Sequence, residues 1–157
     1  SMPGKMDGFL GFMSVLMLCV GVNGVTFEDC GSTANISEVR VSGCTAEPCD
    51  LVRSTVANIQ FDFLPVNNHK SLETFVYGTV SGVTTEFPGV SPHACNSLSY
   101  GMCPLDEYMM YSYSEYIKIR KSYPKLPVTV KWVLQTKNAP RRTVVCFEVK
   151  CRIVDPI

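Results

Sequence analysis

The chain is poor in the ingredients of helices and of chemistry. Beyond its first 24 residues, apolar positions almost never recur at the i, i+3, i+4, i+7 spacing of an amphipathic helix, which argues against a helical bundle. Histidine occurs twice: His69 sits in a polar turn, NNHK, and His93 in SPHAC, neither beside a suggestive neighbour. There is no glycine-rich phosphate loop, no G-x-S-x-G elbow and no carboxylate cluster for metal, so no catalytic residue, metal site or cofactor is expected, and the chain does not read as an enzyme. A nucleic-acid-binding motif is missing too. The one continuous apolar run, Phe9 to Val22, has 14 residues. That is short of the ~20 that span a bilayer.

The same run has the shape of a secretory signal, with Lys5 ahead of it and the small residues of Val22-Asn23-Gly24 behind it. Residues 1–24 are therefore expected to be a leader, and residues 25–157 a single mature domain, since 133 residues build one core but not comfortably two. Export implies an oxidising compartment, extracellular or lysosomal. Of the eight cysteines, Cys19 leaves with the leader, and the remaining seven should form three disulfides and leave one thiol. Zinc would want tighter spacing and histidines close by. The sequon Asn35-Ile36-Ser37 fits export and marks Asn35 for glycosylation.

What the chain does have is β-branched and alternating runs: Ile36 to Val41, Val56 to Leu64, Leu72 to Val83, Met109 to Ile119, Val128 to Gln135 and Thr143 to Val154. Breakers such as Pro65-Val66-Asn67-Asn68, Tyr123-Pro124 and Lys137-Asn138-Ala139-Pro140 separate them. Short strands with turn signals indicate an all-β sandwich of antiparallel sheets. Parity then assigns faces: Val128, Val130, Trp132 and Leu134 share one, as do Phe147, Val149, Cys151 and Ile153. Cys146 points away from Cys151, so the two do not pair, and Cys151 on the apolar face is the better candidate for the free thiol. The inward bulk includes Ile59, Phe61, Phe63, Val76, Val80, Ile117 and Ile119. Bulk alone indicates a packed core and not a cavity.

Charge is balanced overall but not along the chain. Val25 to Ile117 holds 3 basic and 11 acidic residues, and Lys118 to Ile157 holds 10 basic and 2 acidic. Either the two halves neutralise one another across the fold, or Lys118, Arg120, Lys121, Lys125, Arg141 and Arg142 gather into a face that meets anionic membranes.

The segments FEDCGS (27–32), GCTAEPC (43–49), YGTVSGVTTEFP (77–88), ACNSLSYGMCPL (94–105), YSYSEYIKIRKSYP (111–124), VTVKWVL (128–134) and VVCFEV (144–149) occur in an order that resembles the ML lipid-recognition domain family, in particular its secreted cholesterol-carrying branch. The loop between Cys95 and Cys103 is longer than in the mammalian carriers and points to an invertebrate member. The resemblance implies an immunoglobulin-like β-sandwich whose sheets part to admit an apolar ligand. It implies disulfides Cys30–Cys146, Cys44–Cys49 and Cys95–Cys103, the last closing a loop at the pocket mouth. It also implies Phe87, Ile119 and Tyr123 as lining residues, with Ile59, Phe61, Val80, Val128, Val130, Trp132, Phe147 and Val149 as further candidates for the ligand wall. The expected activity is that of a monomer that carries a sterol to membranes or to a membrane sterol receptor. A carrier of fatty acids or semiochemicals, or an innate-immunity co-receptor for glycolipid, would share the fold.

Overall fold

Alternating burial along the strands builds the structure, a computed structural model that describes residues 24–157; the expected leader, apart from Gly24, lies outside the described residues. There are ten strands: β1 (Glu28–Asp29), β2 (Asn35–Val41), β3 (Cys49–Val52), β4 (Thr55–Leu64), β5 (Leu72–Val80), β6 (Val83–Glu86), β7 (Leu98–Tyr100), β8 (Tyr111–Ile119), β9 (Pro127–Thr136) and β10 (Thr143–Val154). A single 3-10 turn spans Ala94–Ser97. No helix among the described residues is long and apolar enough to cross a membrane.

The strands form two sheets. In the first the order is β6-β5-β9-β10, and the far edge of β10 is shared by β1, antiparallel, and β3, parallel. The second is β2-β4-β8-β7, antiparallel throughout. Their apolar faces meet in one core.

Strand register sorts that core into layers along the sandwich axis. Leu134, Val145, Phe61 and Tyr113 lie towards one end, followed by Val76, Trp132, Phe147 and Ile59, then by Gly78, Val130, Val149, Ala57 and Ile117. Val128, Cys151 and Ile119 come last. The first end is aromatic: Phe61 stacks on Tyr113 at 4.7 Å between centroids, meets Phe147 edge-on at 5.0 Å, and Tyr113 meets Trp132 at 5.9 Å. The other end holds aliphatic residues, Gly78 and Cys151.

The strands differ from the sequence expectation in three main ways. Leu72 to Val83 is not one strand, because Ser81 (φ 49°) and Gly82 (φ 79°) both turn left-handed and reverse the chain into the β5–β6 hairpin. Met109 and Met110 precede β8 as an exposed loop, their hydrophobicity having suggested a strand. The short strands β1, β3 and β7 carry too few alternating residues to show in the sequence, and tertiary pairing creates them.

Cys30 is bonded to Cys146, Cys44 to Cys49 and Cys95 to Cys103, while Cys151 is free and buried. Burial pushes the Cys151 thiol up to about 12, so it is un-ionised and serves as a small apolar residue. On the outer face of the second sheet, Arg40 donates to both carboxylate oxygens of Asp62 at 2.8 and 3.0 Å, and Ser112 Oγ donates to Asp62 at 2.7 Å. This clamp ties β2, β4 and β8 together.

Two predictions follow from these ties. The Cys30–Cys146 bond closes a loop with a sequence separation of 116, against 5 and 8 for the others. Loop-closure entropy then gives on the order of 5 kcal/mol for it and on the order of 2 for each short loop, so the Cys30→Ser/Cys146→Ser variant should lose the most in denaturant unfolding. Equal losses from all three pairs would contradict this. For the clamp, hydrogen bonds from Arg40 hold the Asp62 carboxyl below its ordinary range. A depressed carboxylate stabilises the fold above its unfolded pKa of about 3.9, and that contribution fades as pH falls through the folded value. Asp62→Asn should therefore be less stable than the parent at pH 7, with the gap narrowing in acid. A gap independent of pH would refute the clamp's ionic part.

Candidate ligand-binding cavity

The open end of the sandwich holds a cavity because its inward residues are too short to bridge the sheets. Gly78, Val80, Val128 and Val130 of the first sheet face Ile117 and Ile119 of the second, and Leu51 and Ile153 complete the wall. Even a methyl group at Gly78 would reach within 3.4 Å of Val128 Cγ2. The space measures about 460 Å³. That lies within the ~300–1,000 Å³ of small-molecule sites. The β5–β6 hairpin borders it through Val80, Val83, Thr85 and Glu86, and β6, an edge strand paired with β5, stays exposed along its length.

Two loop aromatics stand at the mouth. Phe87 follows β6 and is pinned by its N–H, which donates to the Val76 carbonyl at 2.8 Å; Gly89 leaves room for its ring, whose edge lies 3.3 Å from an ideal Cβ there. Tyr123 sits in the turn after β8, where its N–H donates to the Arg120 carbonyl at 3.1 Å. Arg53 holds that turn from beneath: Nη1 donates to the carbonyls of Lys121 at 3.2 Å and Tyr123 at 3.3 Å, while the guanidinium also pairs with Asp155. The rings of Phe87 and Tyr123 meet edge to face with centroids 5.8 Å apart. Edge-to-face pairs are worth about 0.5–1.5 kcal/mol, weak enough to part for a ligand.

The expected wall residues divide. Phe87, Ile119, Tyr123, Val80, Val128 and Val130 line the cavity. Ile59, Phe61, Trp132, Phe147 and Val149 do not; they are packed in the layers beside or beyond it and at most 2 % exposed. Parity identifies inward residues but cannot separate cavity wall from filled core, which depends on what the opposite sheet supplies. The Cys95–Cys103 loop is also elsewhere than expected. His93 bridges to Glu73 and β7 pairs with the start of β8, so the disulfide closes the flank towards the aromatic end and none of its residues reaches the mouth. Leu51 and Ile153 were overlooked as lining residues because β3, the strand carrying Leu51, is too short to be read.

One inward position is acidic. On β8 the sequence Tyr111, Tyr113, Glu115, Ile117, Ile119 shares a face, and the Glu115 carboxylate accepts a hydrogen bond from Ser97 Oγ at 2.6 Å. Nearby, the hydroxyls of Tyr113 and Thr74 lie 3.3 Å apart, and burial pushes Tyr113 up to about 12, so the phenol stays neutral. A second depression of about 710 Å³ differs from the cavity in having three charged side chains, Glu47, Lys150 and Arg152, in its wall beside Pro48, Pro127 and Val128.

A two-sheet sandwich with an apolar space at one end and aromatics at its rim is a lipid-binding architecture, and the chain belongs to the ML domain family, whose profile it matches over residues 24–153. It is 34% identical over 140 residues to the NPC intracellular cholesterol transporter 2 homolog a of Drosophila melanogaster, covering 87% of this chain and 92% of that one. It is 33% identical over 147 residues to the ecdysteroid-regulated 16 kDa protein of Manduca sexta, covering 90% and 97%. Among solved structures, a Niemann-Pick type C2 protein from the Japanese carpenter ant superimposes with a TM-score of 0.73 at 25% identity, covering 83% of this chain and all of that one. Chicken MD-1, solved in complex with lipid IVa, shares the fold at a TM-score of 0.50 and 16% identity over 80% of this chain and 87% of its own.

The division of the inward residues is measurable. Truncating a packed core phenylalanine costs roughly 3–5 kcal/mol, whereas a ring over an open cavity leaves little new void. Phe61→Ala should lose that much stability, and Phe87→Ala under 1 kcal/mol on the same denaturation curve. Equal losses would mean that Phe87 belongs to the core.

Proposed function

We propose that the protein is an exported sterol carrier that shields its ligand in the cavity behind Phe87 and Tyr123 and releases it at membranes or to a membrane sterol receptor. The observation that carries this reading is the cavity itself: an apolar space with aliphatic walls, opening between two aromatic side chains. Flat rings and short branched side chains suit a rigid, flat apolar molecule, and the Tyr123 hydroxyl supplies a polar tip at the wet end. Burying a few hundred Å² of sterol at about 25 cal/mol per Å² yields on the order of 10 kcal/mol. Lost translational and rotational freedom offsets much of that. Binding is therefore reversible, as delivery requires. The cholesterol transporters among the relatives support the same class of ligand. No covalent step is needed for this role.

Membrane delivery draws on the basic residues that flank the mouth. Lys118, Arg120 and Lys121 are exposed and make no salt bridge among the described residues, whereas Lys125 pairs with Asp155 at 3.0 Å. Arg141 and Arg142 lie in the β9–β10 hairpin at the opposite end and cannot join them. Part of the charge asymmetry is neutralised across the fold, as in the Arg152–Asp50 pair. The carrier acts as a monomer, glycosylated at the exposed Asn35 and destined for the extracellular space or the lysosome.

A fluorescent sterol tests the site: Phe87→Ala and Tyr123→Ala should each weaken binding at least tenfold with the fold intact by circular dichroism. Undiminished binding in both would remove the clasp from the account. Transfer to anionic vesicles should exceed transfer to neutral ones and lose that advantage in high salt or in Lys118→Gln/Arg120→Gln/Lys121→Gln. Equal rates to both vesicle types would leave the basic rim without this role.

A further inference from the structure

The end of the sandwich opposite the cavity carries a feature that ligand carriage does not use. Tyr100, Met102, Tyr108, Met109 and Met110 are all large, apolar and between 40% and 78% exposed. They share one stretch of chain: Tyr108, Met109 and Met110 are consecutive and lead into β8, while Tyr100, which pairs with Ser112, closes β7 just ahead of Met102. Exposed residues scattered singly need no cause, but a contiguous group of this size marks a contact surface.

The loop that presents them is held rigid. Cys103 is bonded to Cys95; Leu105 and His69 exchange backbone hydrogen bonds at 2.7 and 3.0 Å; Glu107 N donates to Asn68 Oδ1 at 2.8 Å; and Asp106 N donates to the Tyr111 hydroxyl at 2.8 Å. Tyr108 is held at φ 61° while its N–H donates to the Pro65 carbonyl at 2.7 Å. A tyrosine in the left-handed region is strained, and the surroundings fix it with its ring outward. Gly101, at φ +81°, lies so close over Tyr111 that an ideal Cβ would stand 2.4 Å from the ring. The backbone that carries these side chains is thus fixed before any contact, which lowers the entropic cost of one.

Charge selects the occupant. Between Lys70 and Lys118 the chain has no lysine or arginine, and Asp106 and Glu107 are exposed within the apolar group itself. Lys70 and Arg142 stand on the flank where His69 meets Leu105, Lys137 and Arg141 lie in the β9–β10 hairpin, and Arg40 is paired with Asp62, which leaves Asp106 and Glu107 as the charges within the group. An anionic membrane is repelled by such a surface. A second copy meeting it through the same surface would bring four carboxylates into one interface, with no lysine or arginine from residues 71–117 to offset them. We infer that the Tyr100–Met110 surface docks a partner protein through an apolar centre flanked by lysine or arginine, about 25–30 Å from the cavity mouth, the length of the nine-residue β8. Tyrosine and methionine are the residues enriched in such interfaces. Docking there leaves the mouth free to face a membrane.

The test uses the mature, disulfide-intact protein and defined probes, read by amide chemical shifts. An amphipathic helical peptide of leucine and lysine should give saturable shifts confined to residues 100–110. It should bind at least tenfold more weakly to Met102→Asp/Met110→Asp and at least threefold more weakly to Asp106→Lys/Glu107→Lys. The leucine–glutamate counterpart should leave these residues unmoved. Should the aspartate variant fail to fold, Met102→Gln/Met109→Gln serves in its place. The inference is overturned by equal binding of the two peptides, by shifts at the mouth in place of residues 100–110, by vesicles of phosphatidylcholine or phosphatidylglycerol moving the same residues, or by sedimentation showing a dimer that the aspartate variant abolishes.

Discussion

Aromatic packing at one end of the sandwich sets the spacing on which everything else depends. Phe61 and Tyr113 of one sheet lock onto Phe147 and Trp132 of the other there, through contacts of 5.0 and 5.9 Å. Two sheets fixed at one end by bulky rings cannot collapse onto the short side chains at the other. Gly78 and Val130 therefore face Ile117 across a space that they do not fill. The cavity is a consequence of a gradient of side-chain size along the strands, and filling it with larger residues would give an ordinary closed sandwich.

The same arrangement separates stability from binding. The packed end and the Cys30–Cys146 bond supply most of the cohesion, so the residues at the mouth are released from that duty. Phe87 and Tyr123 come from loops, each fixed by backbone hydrogen bonds with the ring left to move. Arg53 carries this further, since one guanidinium holds both the mouth turn and the C-terminal Asp155. The mouth is thus built on a rigid frame but closed by a weak contact.

Much of this was legible in the sequence, and the limits are physical. Val128 to Leu134 and Phe147 to Ile153 alternate without interruption, so their strands and inward faces follow directly from parity. The Ser81-Gly82 turn left a signal that a longer β-branched run obscured. The cavity wall was harder, because Trp132 and Val130 have identical parity and differ only in what the second sheet sets opposite them. Register supplies that information, and it comes from pairing between residues far apart in sequence. Glu115 is an exception of another kind: its inward position is readable, but its partner Ser97 lies in the turn before β7, which the alternation pattern does not reach.

The central claim is that the cavity holds one apolar molecule. Native mass spectrometry of the secreted protein, followed by extraction and identification of whatever it releases, tests this most directly. The account predicts one sterol-sized lipid per chain, absent from a Gly78→Leu/Val130→Phe variant that fills the space. A parent protein that is empty under the same conditions and takes up no added sterol, or a filled variant that retains the lipid, would contradict it.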